Sequence, residues 1–343
     1  MGKDKPNMRD VAQAANVSLS AVWMAIHNKP GVAPETAEKV WASIDQLGYI
    51  VKPNSKEQSE NSIGLMIEKG SIPAMMDSFY GDILHGLQAE AQRFGYHVML
   101  MMFDRATDNM ELLKKRLMGK IAGLVVANDG DITPAMVVRL KATGLPVVLI
   151  ENHIDDQQFS CVVGDNFTAG YMITRHLLSL GHRDIAVLPG PAKYSSLVDR
   201  LRGCMAALAE AGLLIRPEWM PPPVSGHPMK GYLQMKEILT LDHYPTAVVS
   251  ISDKTALGAM EAIRESGLRI PEDIAIVGID NIAESAHTRP PLTTVNIPKL
   301  EMGILAFRRV KHLINSEEAD IPVKTLVYGE LIVRESCGAN LRA

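Results

Sequence analysis

Three cysteines in 343 residues, Cys161, Cys204 and Cys337, are too few and too widely spaced for a disulfide framework or a metal-ligand pattern. They read as buried thiols of a protein kept in a reducing compartment. No apolar run approaches the roughly 18 residues of a membrane span, and the charged amino terminus, Met1 to Asn7, lacks the apolar stretch of an export signal. A cytoplasmic protein with no membrane partner is expected. Positive charge is not in excess either: the net charge is −4, and residues 1–60 hold seven Lys and Arg against seven Asp and Glu. Duplex affinity comes largely from counterions released by Lys and Arg, so strong non-specific DNA binding is excluded and any salt slope should be shallow.

Signatures of catalysis are absent as well. No Gly-x-Gly-x-x-Gly follows a strand, and there is no phosphate loop, Gly-x-Ser-x-Gly elbow or His-Glu-x-x-His, while the ten histidines are scattered. No catalytic residue, cofactor or metal is expected, and the chain does not read as an enzyme.

What is present begins with three helical signals. Asn7 can cap a first helix, with Asp10 completing a capping box and Val11, Ala12 and Ala15 on one face. Asn16-Val17 ends it, and Ser18 can cap a second helix that turns Val22, Ala25 and Ile26 inward. After the turn signal Asn28-Lys29-Pro30-Gly31, Pro34 suits the first position of a third helix whose Val40, Ile44 and Leu47 repeat at helical spacing. Two short helices and a tight turn, braced by a third, match the helix-turn-helix plan, although a generic three-helix bundle satisfies the same periodicity.

Beyond Ile63 the rhythm changes to an α/β, doubly wound pattern. Apolar strands at 63–67, 97–102, 123–126, 146–150 and 161–164 alternate with helices at 79–94, 108–118 and 133–143. A second series follows, with strands at 184–188, 247–251 and 274–279 and helices at 167–180, 198–211, 228–239 and 254–266. Ligands of such sheets lie beyond the carboxyl ends of the strands. There the sequence offers Glu151 and Asn152, Asp165 and Asn166, Ser252 and Asp253, Asp280 and Asn281. Carboxylates, amides and a hydroxyl at one rim suit a polyhydroxylated ligand, and Phe79 and Tyr80 offer flat faces for a sugar ring. Each also has a plainer reading as a helix cap, a solvated carboxylate or core.

Asp10-Val11-Ala12, Val17-Ser18, Lys29-Pro30-Gly31-Val32, Pro34-Glu35-Thr36 and Leu47-Gly48-Tyr49 resemble, in order and spacing, the headpiece of the lactose-repressor (LacI/GalR) family of bacterial transcription regulators. The resemblance implies a helix-turn-helix headpiece at 1–51, a polar linker at 52–62 in place of a hinge helix, and a two-lobed, periplasmic-binding-protein-like effector-binding and dimerisation domain at 63–343. One lobe would comprise about 63–165 and 293–325, the other about 166–292 and 326–343. Pro290 to Val295 resembles the crossover back to the first lobe. Operator contacts are implied for Asn7, Ser18, Leu19, Ser20, Ala21, Met24, His27 and Lys29. Effector contacts are implied for Phe79, Tyr80, Glu151, Asn152, Asp165, Tyr194, Arg200, Ser252 and Asp280. The implied partners are double-stranded DNA with a roughly palindromic site, a carbohydrate effector and a second copy of the chain.

Departures from the family are specific. Ala21, Trp23 and Met24 stand where hydroxyls and a polar base reader are usual, and no apolar side chain between Val51 and Ile63 could wedge the minor groove. Tyr194 replaces the arginine of purine-sensing members, and Gly226 replaces an aromatic wall that His227 or Tyr232 could substitute. These departures keep a second reading open, an intracellular small-molecule-binding protein whose headpiece has lost specific DNA binding.

Overall fold

The computed structural model describes residues 6–26, 31–47, 49, 61–68, 78–104, 113, 117, 119–127, 132–151, 153–154, 159–224, 230–316 and 321–339. They fall into two units, Met1–Gln58 and Ser59–Ala343.

In the first unit the expected capping box forms around helix α1 (Met8–Ala15). Asn7 Oδ1 accepts from the Arg9 and Asp10 amides at 2.8 and 3.4 Å, and Asp10 Oδ2 accepts from the Asn7 amide at 2.7 Å. Asn16, with φ 53°, closes the helix in the left-handed region that asparagine tolerates. Ser18 Oγ accepts from the Ala21 amide at 3.1 Å and starts α2 (Leu19–Ile26), while Pro34 opens α3 (Pro34–Leu47), where its missing N–H leaves nothing unsatisfied. Val11, Ala12, Ala15, Val22, Ala25, Val40 and Ile44 close the core. Leu47, which repeats with Val40 and Ile44 at helical spacing, is 37 % exposed, and Ile26 is only half-buried. The 14-residue α3 runs past a core only as deep as the eight-residue α1 and α2. His27, Lys29 and the linker at 52–60 lie outside the described residues.

The second unit holds two sheets. The first contains β1 (Ser62–Glu68), β2 (His97–Phe103), β3 (Gly123–Ala127), β4 (Val147–Ile150), β5 (Ser160–Gly164) and β10 (Lys324–Val327), in the order β10-β5-β4-β3-β1-β2 and all parallel. The second contains β6 (Ile185–Leu188), β7 (Ala247–Ser250), β8 (Ala275–Asp280), β9 (Thr293–Asn296) and β11 (Glu330–Ile332), in the order β11-β9-β8-β7-β6, with only β11 antiparallel. The helices are α4 (Ser78–Arg93), α5 (Pro134–Lys141), α6 (Asn166–Ser179), α7 (Ser195–Glu210), α8 (Lys230–Ile238), α9 (Asp253–Glu265) and α10 (Lys299–Asn315). Every residue of β3 to β8 is buried, as expected of parallel strands covered on both faces. Of the helix expected at 108–118, only the buried Leu113 and Leu117 are described.

The crossings between sheets fall later than the sequence suggests. Thr293–Asn296 pairs with β8 and so belongs to the second sheet, and Leu326 and Val327 pair with β5 in the first. The Pro290-Pro291 pair marks a turn ahead of a strand whose Thr293, Thr294 and Val295 are buried in the second sheet's interior. The chain leaves that sheet only after Asn296 and returns to it at Glu330.

Helices α6 and α7 touch backbone to backbone. A Cβ on Gly170 would lie 2.0 Å from the Arg200 carbonyl oxygen, and one on Gly203 would lie 2.0 Å from that of Phe167. Only glycine at both places permits this approach, which fixes the height of Arg200 beneath the strand ends. Among the described residues, no helix is long and apolar enough to cross a membrane.

Candidate functional site

Strands β4 and β8 end abruptly. Glu151 (φ 69°), Asp280 (φ 130°) and Asn281 (φ 51°) occupy positive φ without being glycine, a strain that persists only where surrounding contacts impose it. Asn281 is held by Thr294, Asn296 and Arg334, whereas Glu151 and Asp280 both face Arg200, 2 % exposed on α7. Its Nε donates to Asn166 Oδ1 at 2.7 Å and its Nη1 to the Ile251 carbonyl at 2.8 Å. Nη2 lies 2.8 Å from Asp280 Oδ1, off the hydrogen-bonding direction, and 3.7 Å from Glu151 Oε1. One guanidinium therefore ties the first sheet, through Glu151, to the second, through Ile251 and Asp280. A second tie runs from the His153 amide to Ser195 Oγ at 3.2 Å. Burial alone would lower the Arg200 pKa, but Asp280 and Glu151 outweigh it and hold the guanidinium firmly charged.

A second cation completes the cluster. Lys299, 4 % exposed, donates to the Asp280 carbonyl at 2.6 Å and to that of Asn281 at 3.5 Å, with Nζ 5.8 Å from the Phe79 ring centroid. Phe79 meets Tyr80 edge to face at 5.3 Å. Below them Asp253 is fully buried. Its Oδ2 accepts from the Ile282 amide at 3.0 Å and its Oδ1 from the Thr294 hydroxyl at 2.6 Å. Burial first, and then the negative Asp280, push the Asp253 carboxyl up to about 7. When all are ionised, Glu151, Asp253 and Asp280 outnumber Arg200 and Lys299 by one. Among the described residues no group of three His, Cys, Asp or Glu side chains is arranged to hold a metal ion.

Of the effector candidates, Phe79, Glu151, Arg200 and Asp280 converge on this cluster. Asp165 and Ser252 are turned to local work: Asp165 Oδ1 caps α6 through the Thr168 amide at 3.0 Å, and Ser252 Oγ caps α9 through the Thr255 amide at 3.3 Å. Tyr194 sits at the start of α7, with Lys193 Nζ 4.8 Å above its ring. Asn152, Gly226 and His227 lie outside the described residues. Tyr232, the other substitute wall, instead donates its hydroxyl to Glu265 on α9 at 2.6 Å. Lys299 is absent from the sequence candidates, while Asn166 and Asp253 stand among them only as polar residues past strand ends, with no part assigned in holding Arg200 or in a buried charge cluster. For Lys299 a signal existed: a lysine opening a helix opposes the helix dipole, an arrangement that needs a partner elsewhere.

In the headpiece Leu19 and Trp23 are 43 % and 42 % exposed, Ser18 and Ser20 are exposed, and Ala21 and Met24 are half-buried. Asn7 is exposed and spends its side chain on the α1 cap.

Comparison with known proteins agrees with both units. Residues 61–327 match the family of periplasmic binding proteins and the sugar binding domain of the LacI family, and residues 7–54 match the bacterial regulatory proteins of the lacI family. The HTH-type transcriptional repressor PurR of Pasteurella multocida is 31 % identical over 343 residues, covering 97 % of this chain and 99 % of that protein. The lac repressor dimer bound to operator and the anti-inducer ONPF superposes with a TM-score of 0.80 at 26 % identity, covering 97 % of this chain and 99 % of that one. The transcriptional regulator CelR in complex with cellobiose gives a TM-score of 0.74 at 30 % identity, covering 96 % and 99 %.

Proposed function

Because the chain belongs to the LacI family and is a ligand-responsive DNA-binding transcription regulator, we propose that its effector is a sugar or sugar derivative carrying neither phosphate nor carboxylate. Phe79, Glu151, Arg200, Asp280 and Lys299 form the centre of the effector site, and Tyr80, Asn152, Asp165, Tyr194 and Ser252 are further effector contacts. The headpiece meets the operator through Asn7, Ser18, Leu19, Ser20, Ala21, Met24, His27 and Lys29. The protein works as a homodimer in the cytoplasm, without catalysis, on a roughly palindromic site.

The observation that carries the ligand class is the engagement of Arg200. Its Nε and Nη1 already donate to Asn166 and Ile251 and its Nη2 lies against Asp280, so the guanidinium is aimed at the protein's own oxygens and its charge is met by Asp280 and Glu151 instead of awaiting an anionic ligand. The carboxyl groups of Glu151, Asp253 and Asp280 offset Arg200 and Lys299, so the cluster holds no surplus positive charge for an anion and offers acceptor oxygens to a ligand rich in hydroxyl donors. CelR, with bound cellobiose, shows that a fold of this kind accommodates such a ligand. A ligand touching both Glu151 and Asp280 would stabilise one relative orientation of the two lobes and pass it to the headpiece.

Thermal denaturation against unmodified mono- and disaccharides, their phosphate esters and purine bases tests the reading. At a concentration 100 times its Kd, a neutral sugar should add about 2.7 kcal/mol of stability. Stabilisation by phosphate esters or purines alone would overturn it.

A further inference from the structure

Helix α2 carries the residue sequence Leu-Ser-Ala-Val-Trp-Met-Ala-Ile and no charged or amide side chain. The usual readers of guanine and adenine in the major groove, Arg or Lys and Asn or Gln in bidentate contact, are therefore missing from it. On a helix of 3.6 residues per turn, Leu19, Ser20 and Trp23 share the side opposite the buried Val22 and Ala25. Leu19 and Trp23 are one turn apart, so their exposed areas join into one apolar patch flanked by the Ser20 hydroxyl. The Ser18 cap and the core contacts of Val22 and Ala25 hold that face in place before any partner arrives.

Resting on the regulator reading above, we propose that α2 recognises its operator through thymine methyl groups. Trp23 is then a specificity-determining residue beside Leu19, and Ser20 supplies the hydroxyl of this face. The thymine C5-methyl is the one apolar group that a base pair presents in the major groove. A headpiece with seven positive and seven negative side chains in residues 1–60 draws little affinity from phosphates. Apolar burial against methyls is the interaction this face can supply in its stead, and an exposed indole brings the largest such area.

The test selects sites for the full chain from random-sequence duplexes, then remakes the best duplex with deoxyuridine for thymidine, which removes only the methyl groups. The expected result is enriched half-sites containing T·A pairs whose affinity falls about four-fold for each contacted methyl removed. Trp23→Ala and Leu19→Ala should each erase part of the preference for thymidine over deoxyuridine. Enriched duplexes that bind equally well with deoxyuridine would overturn the methyl readout and leave the regulator reading intact. Failure to enrich any sequence, or association of the α2 face with protein instead of DNA, would overturn both. The deoxyuridine arm needs no substitution in the protein, so it stands even where Trp23→Ala weakens the headpiece.

Discussion

Nη2 of Arg200 lies 2.8 Å from Oδ1 of Asp280, with side chains 2 % and 11 % exposed, and so links helix α7 to the end of β8. Truncating either partner leaves the other charge buried and uncompensated. Arg200→Met should lower the unfolding free energy by about 3–5 kcal/mol, because Asp280, Glu151 and Asp253 lose their shared counter-charge. The double variant Arg200→Met/Asp280→Asn should recover part of that loss in urea denaturation. Equal loss in single and double variants would show that the pair is not coupled.

Asp253 makes stability depend on pH in an unusual direction. Its carboxyl is raised from the ordinary 3.8 to about 7, so between these values the folded protein holds a proton that the unfolded chain has released. Its contribution to stability therefore falls as pH rises through that window, and the loss is complete above it. Asp253→Asn has no proton to lose, so its stability relative to the wild type should rise from about pH 4 to about pH 7 and stay level beyond. A difference that does not vary with pH would contradict this.

Two glycines should respond oppositely to the same substitution. Gly170→Ala places a methyl 2.0 Å from the Arg200 backbone oxygen, whereas a Cβ on Gly81 in α4 meets nothing within 4 Å. Gly170→Ala should destabilise by at least about 1–3 kcal/mol through overpacking and shift Arg200. Gly81→Ala should stabilise by about 0.5–1 kcal/mol through helix propensity. Thermal melts of the two variants check the signs.

How far the sequence revealed these features depended on range. The Asn7–Asp10 box, the Ser18 cap and Pro34 at the head of α3 were legible because a cap is decided within four residues. Asp280 was legible as a carboxylate past a strand end, but Arg200 and its pairing with Asp280 came through family resemblance, since 80 residues of chain separate the two and no local pattern joins them. Lys299 opens a helix of ordinary amphipathic spacing, and only the tertiary fold brings it to the Asp280 carbonyl. Asp253 read as one rim carboxylate among several, because nothing local shows that β9 would close over it through Thr294. The crossing, placed at Pro290 to Val295 by resemblance, falls later because Thr293–Asn296 first pairs with β8, a long-range pairing that no local pattern shows.

Charge balance in the headpiece sets a fourth expectation. A neutral residue 1–60 segment should release few counterions. Raising salt from about 50 to about 200 mM should weaken binding to the selected duplex by only about tenfold, where six to ten phosphate contacts would give 10³–10⁵. Filter binding across that range measures the slope, and a fall of a thousandfold would show that phosphate contacts dominate.

The most direct measurement is the affinity of the full chain for its selected duplex, by fluorescence anisotropy, with and without the unphosphorylated sugar that raises its melting temperature. Coupling between cleft and headpiece predicts that the saturating sugar changes the Kd at least about tenfold in one direction. A sugar that stabilises the protein yet leaves the Kd unchanged would contradict the account.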